Sequence, residues 1–485
     1  YRVKRFRKMR EKSSLNLLRW LAVLGFILWA ACPRAKGAER NYLEHSLPSG
    51  WDTADAGFYD ADAANAEWWR GFGDPLLDSL IAIGRSNNYD VAMAARRIEI
   101  ARAQAGAAQS AYYPSFSLDA GWSRERVSGL TSAEKAPATA LSSFSGTVNM
   151  RWEIDVFGKI TAQVREARAQ VKVSAAEFAG VGLSVDAEIA STYIGLLVAR
   201  EQFAVAREHS ESQLRILNIT KTRHETGLAS KLDVAQASTL YYSTIAQIPL
   251  LEASIDASVN SLAVLLGVTR EDLPAGVLTA TRIPSDIPGV GLGVPGDLLQ
   301  RRPDIVQAEK SIEAAAAALG IARKEYLPSL SVSASAGTQA HNIGDLFSRA
   351  GLTYSIAPTI SWTIFDGLSR RYNAAEAREQ MEIAVDNYNL AILTAVEEVR
   401  DAARKYTCTQ EYISTLEEVV ASSAEEVKLS VDLYKEGLTA FSNVVDAMLN
   451  YLSYQNTLVS ARGQAIDSLI NLYKALGGGW TAAAM

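Results

Sequence analysis

The chain has 485 residues and a formal charge of −6 at pH 7, with 48% hydrophobic and 21% charged residues, 32 Gly against 13 Pro and a mean hydropathy of +0.00. Length allows about three or four ordinary domains, while the composition excludes wholesale disorder, a collagenous or Pro-rich chain and a bundle of membrane helices. A pI near 5.5 argues against nucleic acid as a partner, and two cysteines, Cys32 and Cys408, are too few for a disulfide framework.

In chain order, the first element is a leader. Met9 is the expected start, Arg10, Lys12 and Arg19 form a basic stretch, and residues 21–31 are a short apolar run. The run is too short to span a bilayer, and the order of the parts predicts a signal peptide over residues 1–31. A membrane anchor or a buried helix is the plainer alternative. The leader holds eight Lys or Arg and one acid, a net +7, so removing it leaves −13 for the rest. Small residues before Cys32 fit a lipoprotein cleavage site, yet Trp29 and Pro33 fit it poorly. Acylation of Cys32 and ordinary cleavage after Gly37 both stand open.

Beyond an extended segment over 32–74, the chain is one unit written twice. Ile98, Glu99, Gly106, Tyr112, Pro114, Ser115 and Ser117 match Ile312, Glu313, Gly320, Tyr326, Pro328, Ser329 and Ser331 at an offset of 214. Trp152, Gly227-Leu228 and Leu266-Gly267 match Trp362, Gly437-Leu438 and Leu476-Gly477 at an offset of 210. The period is far longer than a solenoid unit, so it marks a duplicated domain. The repeats are expected over 75–267 and 296–477, with a proline-bearing linker over 268–295 and a tail over 478–485.

Each repeat carries two runs of strict alternation, which predict β-hairpins over 114–156 and 328–365. Phe116, Leu118, Ala120 and Trp122 oppose Ser115, Ser117, Asp119 and Gly121; Val148, Met150, Trp152 and Ile154 oppose Asn149, Arg151, Glu153 and Asp155. In the second repeat Leu330, Val332, Ala334 and Ala336 oppose serines, and Tyr354, Ile356, Ile360 and Trp362 oppose Ser355, Thr359 and Ser361. Pro358 is awkward inside a strand. Helices are expected over 159–224, 230–267, 370–434 and 442–476; about 65 residues at ~1.5 Å each make a rod of ~100 Å.

A sandwich with one wet face would explain any single alternating run. The export signal and the rods favour a membrane barrel instead, with Trp122, Trp152, Tyr354 and Trp362 as its aromatic girdle. About four strands cannot close a barrel, and open edges are prohibitive in lipid, so several copies must contribute strands. The polar strand residues Asp119, Asn149, Arg151, Glu153 and Asp155 suit either a lumen or bulk solvent.

Four segments carry a resemblance to a known family: Trp68-Trp69-Arg70-Gly71-Phe72-Gly73-Asp74-Pro75, Trp152-Glu153-Ile154-Asp155-Val156-Phe157-Gly158, Gly227-Leu228-Ala229-Ser230-Lys231-Leu232-Asp233-Val234 and Arg301-Arg302-Pro303-Asp304-Ile305. Together, over nearly the whole mature chain, they resemble the TolC-like outer-membrane efflux channels, in their NodT/OprM-type lipoprotein branch. The resemblance implies an α+β membrane protein: a homotrimer with a 12-stranded transmembrane β-barrel in outer-membrane lipid, continued by a 12-helix periplasmic coiled-coil tunnel. It implies the passive exit duct of a tripartite efflux system, joined through a periplasmic adaptor to an inner-membrane pump, expected to be of the resistance-nodulation-division type. An outer-membrane conduit for secreted polypeptides and a pore-less periplasmic scaffold are the alternatives.

A long tunnel must narrow at its periplasmic end. Gly227 and Gly437 are expected to turn the rods, with following helices starting near Ser230 and Ser442. The resemblance implies a pore gate of Asp233, Ser442, Asn443 and Asp446, and adaptor contact around Gly227, Leu228, Ser230, Gly437 and Leu438. Three copies of Asp446 would form a cation-attracting ring. Asp233 also fits a plain capping box with Ser230. Thr439 and Asn443 stand where some relatives have Arg and Asp, so this lock is expected to be weaker or differently built.

No enzyme is indicated. His45, His209, His224 and His341 have no ligand spacing, Gly289-x-Gly291-x-Gly293 precedes no suitable helix, and no phosphate loop is present. No cofactor is expected. Cys408 is expected to be a buried apolar residue.

Overall fold

Alternating side chains on paired strands produce two chemically different faces, and that is what the sheet shows. In the computed structural model, residues 67–126, 140–284, 296 and 298–478 are described. The leader, Cys32, most of the 32–74 segment, His45, the Gly289–293 glycines and the tail from 479 lie outside them. Strands β1 (Ser115–Arg126), β2 (Ala140–Ile154), β3 (Ser329–Ala340) and β4 (Leu352–Ser361) form one antiparallel sheet in sequence order. The register puts Phe116, Met150, Ala334 and Ile356 in one row, and Ser117, Asn149, Ser335 and Ser355 in the next. The apolar face is therefore continuous across both hairpins. Trp122 is 61% exposed and Tyr354 80% exposed on it.

The helices are α1 (Pro75–Asn87), α2 (Tyr89–Ser110), α3 (Lys159–Glu225), α4 (Lys231–Ile245), α5 (Ile248–Leu265), α6 (Ala275–Thr279), α7 (Leu298–Arg301), α8 (Pro303–Lys324), α9 (Ser369–Lys435) and α10 (Phe441–Ala475). The two rods, α3 and α9, have 67 residues each, about 100 Å at ~1.5 Å per residue. α3 packs on α2 and α8 toward the sheet and on α4, α5 and α10 toward its far end; α9 packs on α8 and α10.

Five expectations need correction. The helix expected over 230–267 breaks at Ala246-Gln247, because Pro249 in the first turn of α5 has no N–H to continue the ladder and its ring crowds the preceding turn. Its counterpart Val459 lies inside α10, which runs unbroken for 35 residues. Helix α10 starts at Phe441 with Ala440 as N-cap, so Ser442 lies inside the first turn. Trp362 and Ile364 fall just past the end of β4, and Trp152 is half-buried rather than openly displayed. The linker region is partly helical, in α6. Cys408 is exposed.

Equivalent positions perform equivalent work in the two halves. Asn88 Nδ2 donates to the Leu265 carbonyl at 2.8 Å, and 214 residues on, Arg302 Nη1 donates to the Ala475 carbonyl at 3.0 Å. Gly267 (φ +63°) and Gly477 (φ +73°) follow those helix ends. A Cβ there would lie 2.3 Å from the Asn87 carbonyl oxygen and 2.5 Å from that of Arg301. Trp152 Nε1 donates to the Tyr112 carbonyl and Trp362 Nε1 to that of Tyr326, both at 3.0 Å. At the strand-to-helix junctions, Asp155 accepts from the Ile160 and Thr161 amides and Asp366 from the Arg370 amide. Gly158 takes φ +74° at the first junction. At the second, Gly367 is followed by Leu368 at φ +73°, a conformation costing a branched side chain about 1–2 kcal/mol.

The N-terminal motif and the Arg-Arg-Pro-Asp motif are anchors of this frame. Trp68 stacks on Tyr473 at 5.3 Å, and Arg85 lies 4.5 Å over the Trp69 ring while gripping the buried Asp186 carboxylate at 2.6 Å. Burial pushes the Asp186 carboxyl up and Arg85 opposes it. Asp74 caps α1 and accepts from the Tyr193 hydroxyl at 2.7 Å. Arg302 bonds Asp304 and Glu398 as well as the Ala475 carbonyl. Burial works against its charge, but the two carboxylates outweigh that and hold it protonated. Arg302→Ala is expected to cost about 2–3 kcal/mol, because it removes several charged hydrogen bonds while both carboxylates keep access to water. The measurement is thermal unfolding in detergent, where the apparent Tm drops by several degrees.

Between α3 and α10 lies a polar layer. His209 Nε2 bonds Gln455 Oε1 at 2.6 Å, its ring lies 5.0 Å from Tyr451, and Gln213 is buried with both amide atoms unpartnered. Burial pushes the His209 imidazole below its ordinary value, against the opposing pull of Gln455 and Glu208. The unfolded chain therefore takes up this proton before the folded one, and stability falls as pH drops through the ordinary histidine range. Acidification from pH 7 to 5 is expected to lower the apparent Tm of the wild type more than that of His209→Gln. Equal pH slopes would refute the assignment.

Candidate functional site: the helical tips

Each rod ends where a glycine reaches the left-handed region: Gly227 at φ +78° and Gly437 at φ +75°. Around both, the turn closes by the same pair of bonds. Leu228 N donates to Arg223 O at 2.7 Å and Gly227 N to His224 O at 3.0 Å; Leu438 N donates to Leu433 O at 2.9 Å and Gly437 N to Tyr434 O at 3.0 Å. This C-terminal motif needs a residue without Cβ at that point. Leu228 and Leu438 are thereby displayed, 68% and 73% exposed.

The helices that leave the turns start differently. Ser230 and Asp233 form a reciprocal capping box, with both bonds at 3.1 Å. Thr226 and His224 add further bonds within this turn. At the second tip Ala440 offers no side-chain cap, and the Asn443 amide reaches back to Thr439 Oγ1 at 2.7 Å. The second tip is thus less tied to itself.

A shared apolar core holds the two tips side by side: Leu217 on α3, Ala237 and Leu240 on α4, Tyr434 on α9, and Phe441, Val444 and Met448 on α10. Burial pushes the Tyr434 phenol up, with the Asp233 charge adding to it. Because Phe441, Val444, Ala447 and Met448 take the buried face of α10, Asn443 and Asp446 project on its exposed face. Asp233 is half-buried and engaged in its cap.

One tip residue was missed by sequence reasoning. Arg223 donates from Nη1 to the Lys435 carbonyl at 2.9 Å and its guanidinium lies 5.1 Å from the Tyr434 ring centre. A lone arginine near a helix end gives no motif; only its place one turn before the glycine hinted at a role.

Among the described residues no group of His, Cys, Asp and Glu could hold a metal.

The chain matches the Outer membrane efflux protein family over residues 80–268 and 294–478. It is 31% identical to the probable efflux pump outer membrane protein TtgC of Pseudomonas putida, over 87% of each chain. It is 30% identical to the pyoverdine export outer membrane protein OpmQ of Pseudomonas aeruginosa, over 90% of this chain and 92% of that one. The solved outer-membrane channel OprN superposes with a TM-score of 0.83 at 27% identity, covering 90% and 97% of the two chains. The CmeC channel of Campylobacter jejuni shares the fold, with a TM-score of 0.80 at 22% identity over 87% and 90%. The long rods, the two-faced sheet and these likenesses agree that the chain belongs to the outer membrane efflux protein family and is an efflux channel of the outer membrane.

Proposed function

We propose that three copies of this chain assemble into one passive duct, with four strands from each closing a 12-stranded barrel and the rods continuing as a 12-helix periplasmic tunnel. The observation that carries this is the four-stranded sheet with β1 and β4 as open edges and one continuous apolar face. Such a sheet can enter lipid only if other copies pair its edges. Leu232, Tyr242, Leu250 and Val264 on α4 and α5 are exposed and give neighbouring copies apolar surface to cover. Trp122 and Tyr354 stand in the aromatic girdle. Trp152 and Trp362, tied by their indole N–H groups near the strand-to-helix junctions, mark its periplasmic side.

The duct exports small molecules. It receives them from an inner-membrane pump of the resistance-nodulation-division type through a periplasmic adaptor that docks around Gly227, Leu228, Ser230, Gly437 and Leu438. The relative named as an efflux-pump protein and the one named for pyoverdine export favour this over a conduit for polypeptides. Cys32, where acylated, adds a lipid anchor. The gate is the narrowing at the tips. Asp446 with Asn443 and Ser442 on α10 forms its charged rim, and Asp233 holds the first tip in shape.

Purified protein in planar bilayers is expected to run as a heat-resistant trimer and to pass current with cation preference. Asp446→Ala is expected to shift the reversal potential toward anions at ~0.1 M salt and much less at ~1 M, where the screening length falls to ~3 Å. Unchanged selectivity at low salt would remove Asp446 from the rim.

A further inference from the structure

The last four carbonyls of any helix lack intrahelical donors and must find others. At the end of α9, Asp432 O accepts from Glu436 N at 3.2 Å, Leu433 O from Leu438 N at 2.9 Å and Tyr434 O from Gly437 N at 3.0 Å. The fourth, Lys435 O, is taken by Arg223 of α3. At the end of α3, Thr222, Arg223 and His224 are satisfied within their own turn, and no described contact brings a side chain to Glu225 O. The grip is one-sided. The counterparts of Arg223 and Tyr434 at the 210 offset are Leu433, which has no donor, and His224, whose Nδ1 faces the Ala229 carbonyl of its own turn.

We propose that Arg223 is the latch that holds the second helical tip against the first in the closed channel. This rests on reading the tips as the gate. The guanidinium makes two contacts at once: a charged hydrogen bond to the negative end of the α9 dipole and a stack against Tyr434. Tyr434 in turn packs on Phe441, the first residue of α10, at 4.9 Å. One side chain on α3 therefore holds α9 directly and α10 through Tyr434. That tip needs an outside hold, because Ala440 gives it no capping side chain. The latch is also releasable. Arg223 is only half-buried, so its guanidinium regains water readily when the tips part. Arginine suits this task and lysine does not, since only a planar fork can stack and donate together.

The test uses full-length channels in planar bilayers, with trimer heat resistance measured beside conductance. Arg223→Ala is expected to raise the time-averaged conductance about tenfold with the trimer intact, the scale of one charged hydrogen bond. Arg223→Lys is expected to give a smaller rise. Wild-type conductance in an intact Arg223→Ala trimer overturns the latch. If the alanine variant does not assemble, Arg223→Lys decides: raised conductance supports the latch, and wild-type conductance overturns it. Failure of the latch alone leaves wild-type current and the Asp446→Ala effect in place, whereas a wild type that passes no current sinks the channel reading itself.

Discussion

In hydrocarbon a backbone N–H or C=O without a partner costs several kcal/mol, and no water is there to relieve it. A sheet of four strands ending at β1 and β4 therefore carries two rows of groups that forbid insertion of one copy alone. In the proposed assembly the same pairing that relieves one chain's β4 relieves the next chain's β1, so membrane entry and trimer closure are one event. The polar rows of Ser, Thr and Asn then line water, and the apolar rows meet lipid, without any residue having to do both.

Below the sheet, the problem is to keep two rods of ~100 Å in fixed register. The frame does this by fastening helix ends. Asn88 and Arg302 each hold the carbonyl that ends a later helix, and Gly267 and Gly477 admit the backbone of residues 87 and 301 at contact distance. The two fasteners are different chemically. Asn88 also caps α2 through its own Oδ1, whereas Arg302 recruits Asp304 and Glu398. Duplication has kept the geometric task and let the side chain drift.

That drift sets what could be seen in the sequence. Period-two alternation located all four strands because a sheet between lipid and water demands it of every residue. The tip glycines were legible because the left-handed turn strongly favours a residue without Cβ. The Asn88–Arg302 equivalence was not, because identity matching pairs like with like and these are unlike. The break before α5 was signalled by Pro249, but it lies in an apolar run whose periodicity reads as one helix. Ser442 drew attention as a good N-cap, although the 210 offset from Ser230 falls on Ala440, which cannot cap. Leu368, the counterpart of Gly158 at the 210 offset, takes the left-handed region with no signal of its own in the sequence.

At the tips, departures from the repeat run in one direction. The first tip closes its own hydrogen bonds through Ser230, Asp233, His224 and Thr226. The second has Ala440 for a cap and leaves Lys435 O to a side chain from the other rod. Two self-sufficient tips would be indifferent to one another, and two mutually gripping tips would be slow to part. One finished tip holding one unfinished tip gives a contact strong enough to bias closure and local enough to be undone without unravelling either rod. The asymmetry also separates two tasks. Asp233 keeps a helix start in order, while Asp446, one turn further along the other helix and on its exposed face, takes no part in capping and in the proposed gate meets whatever passes.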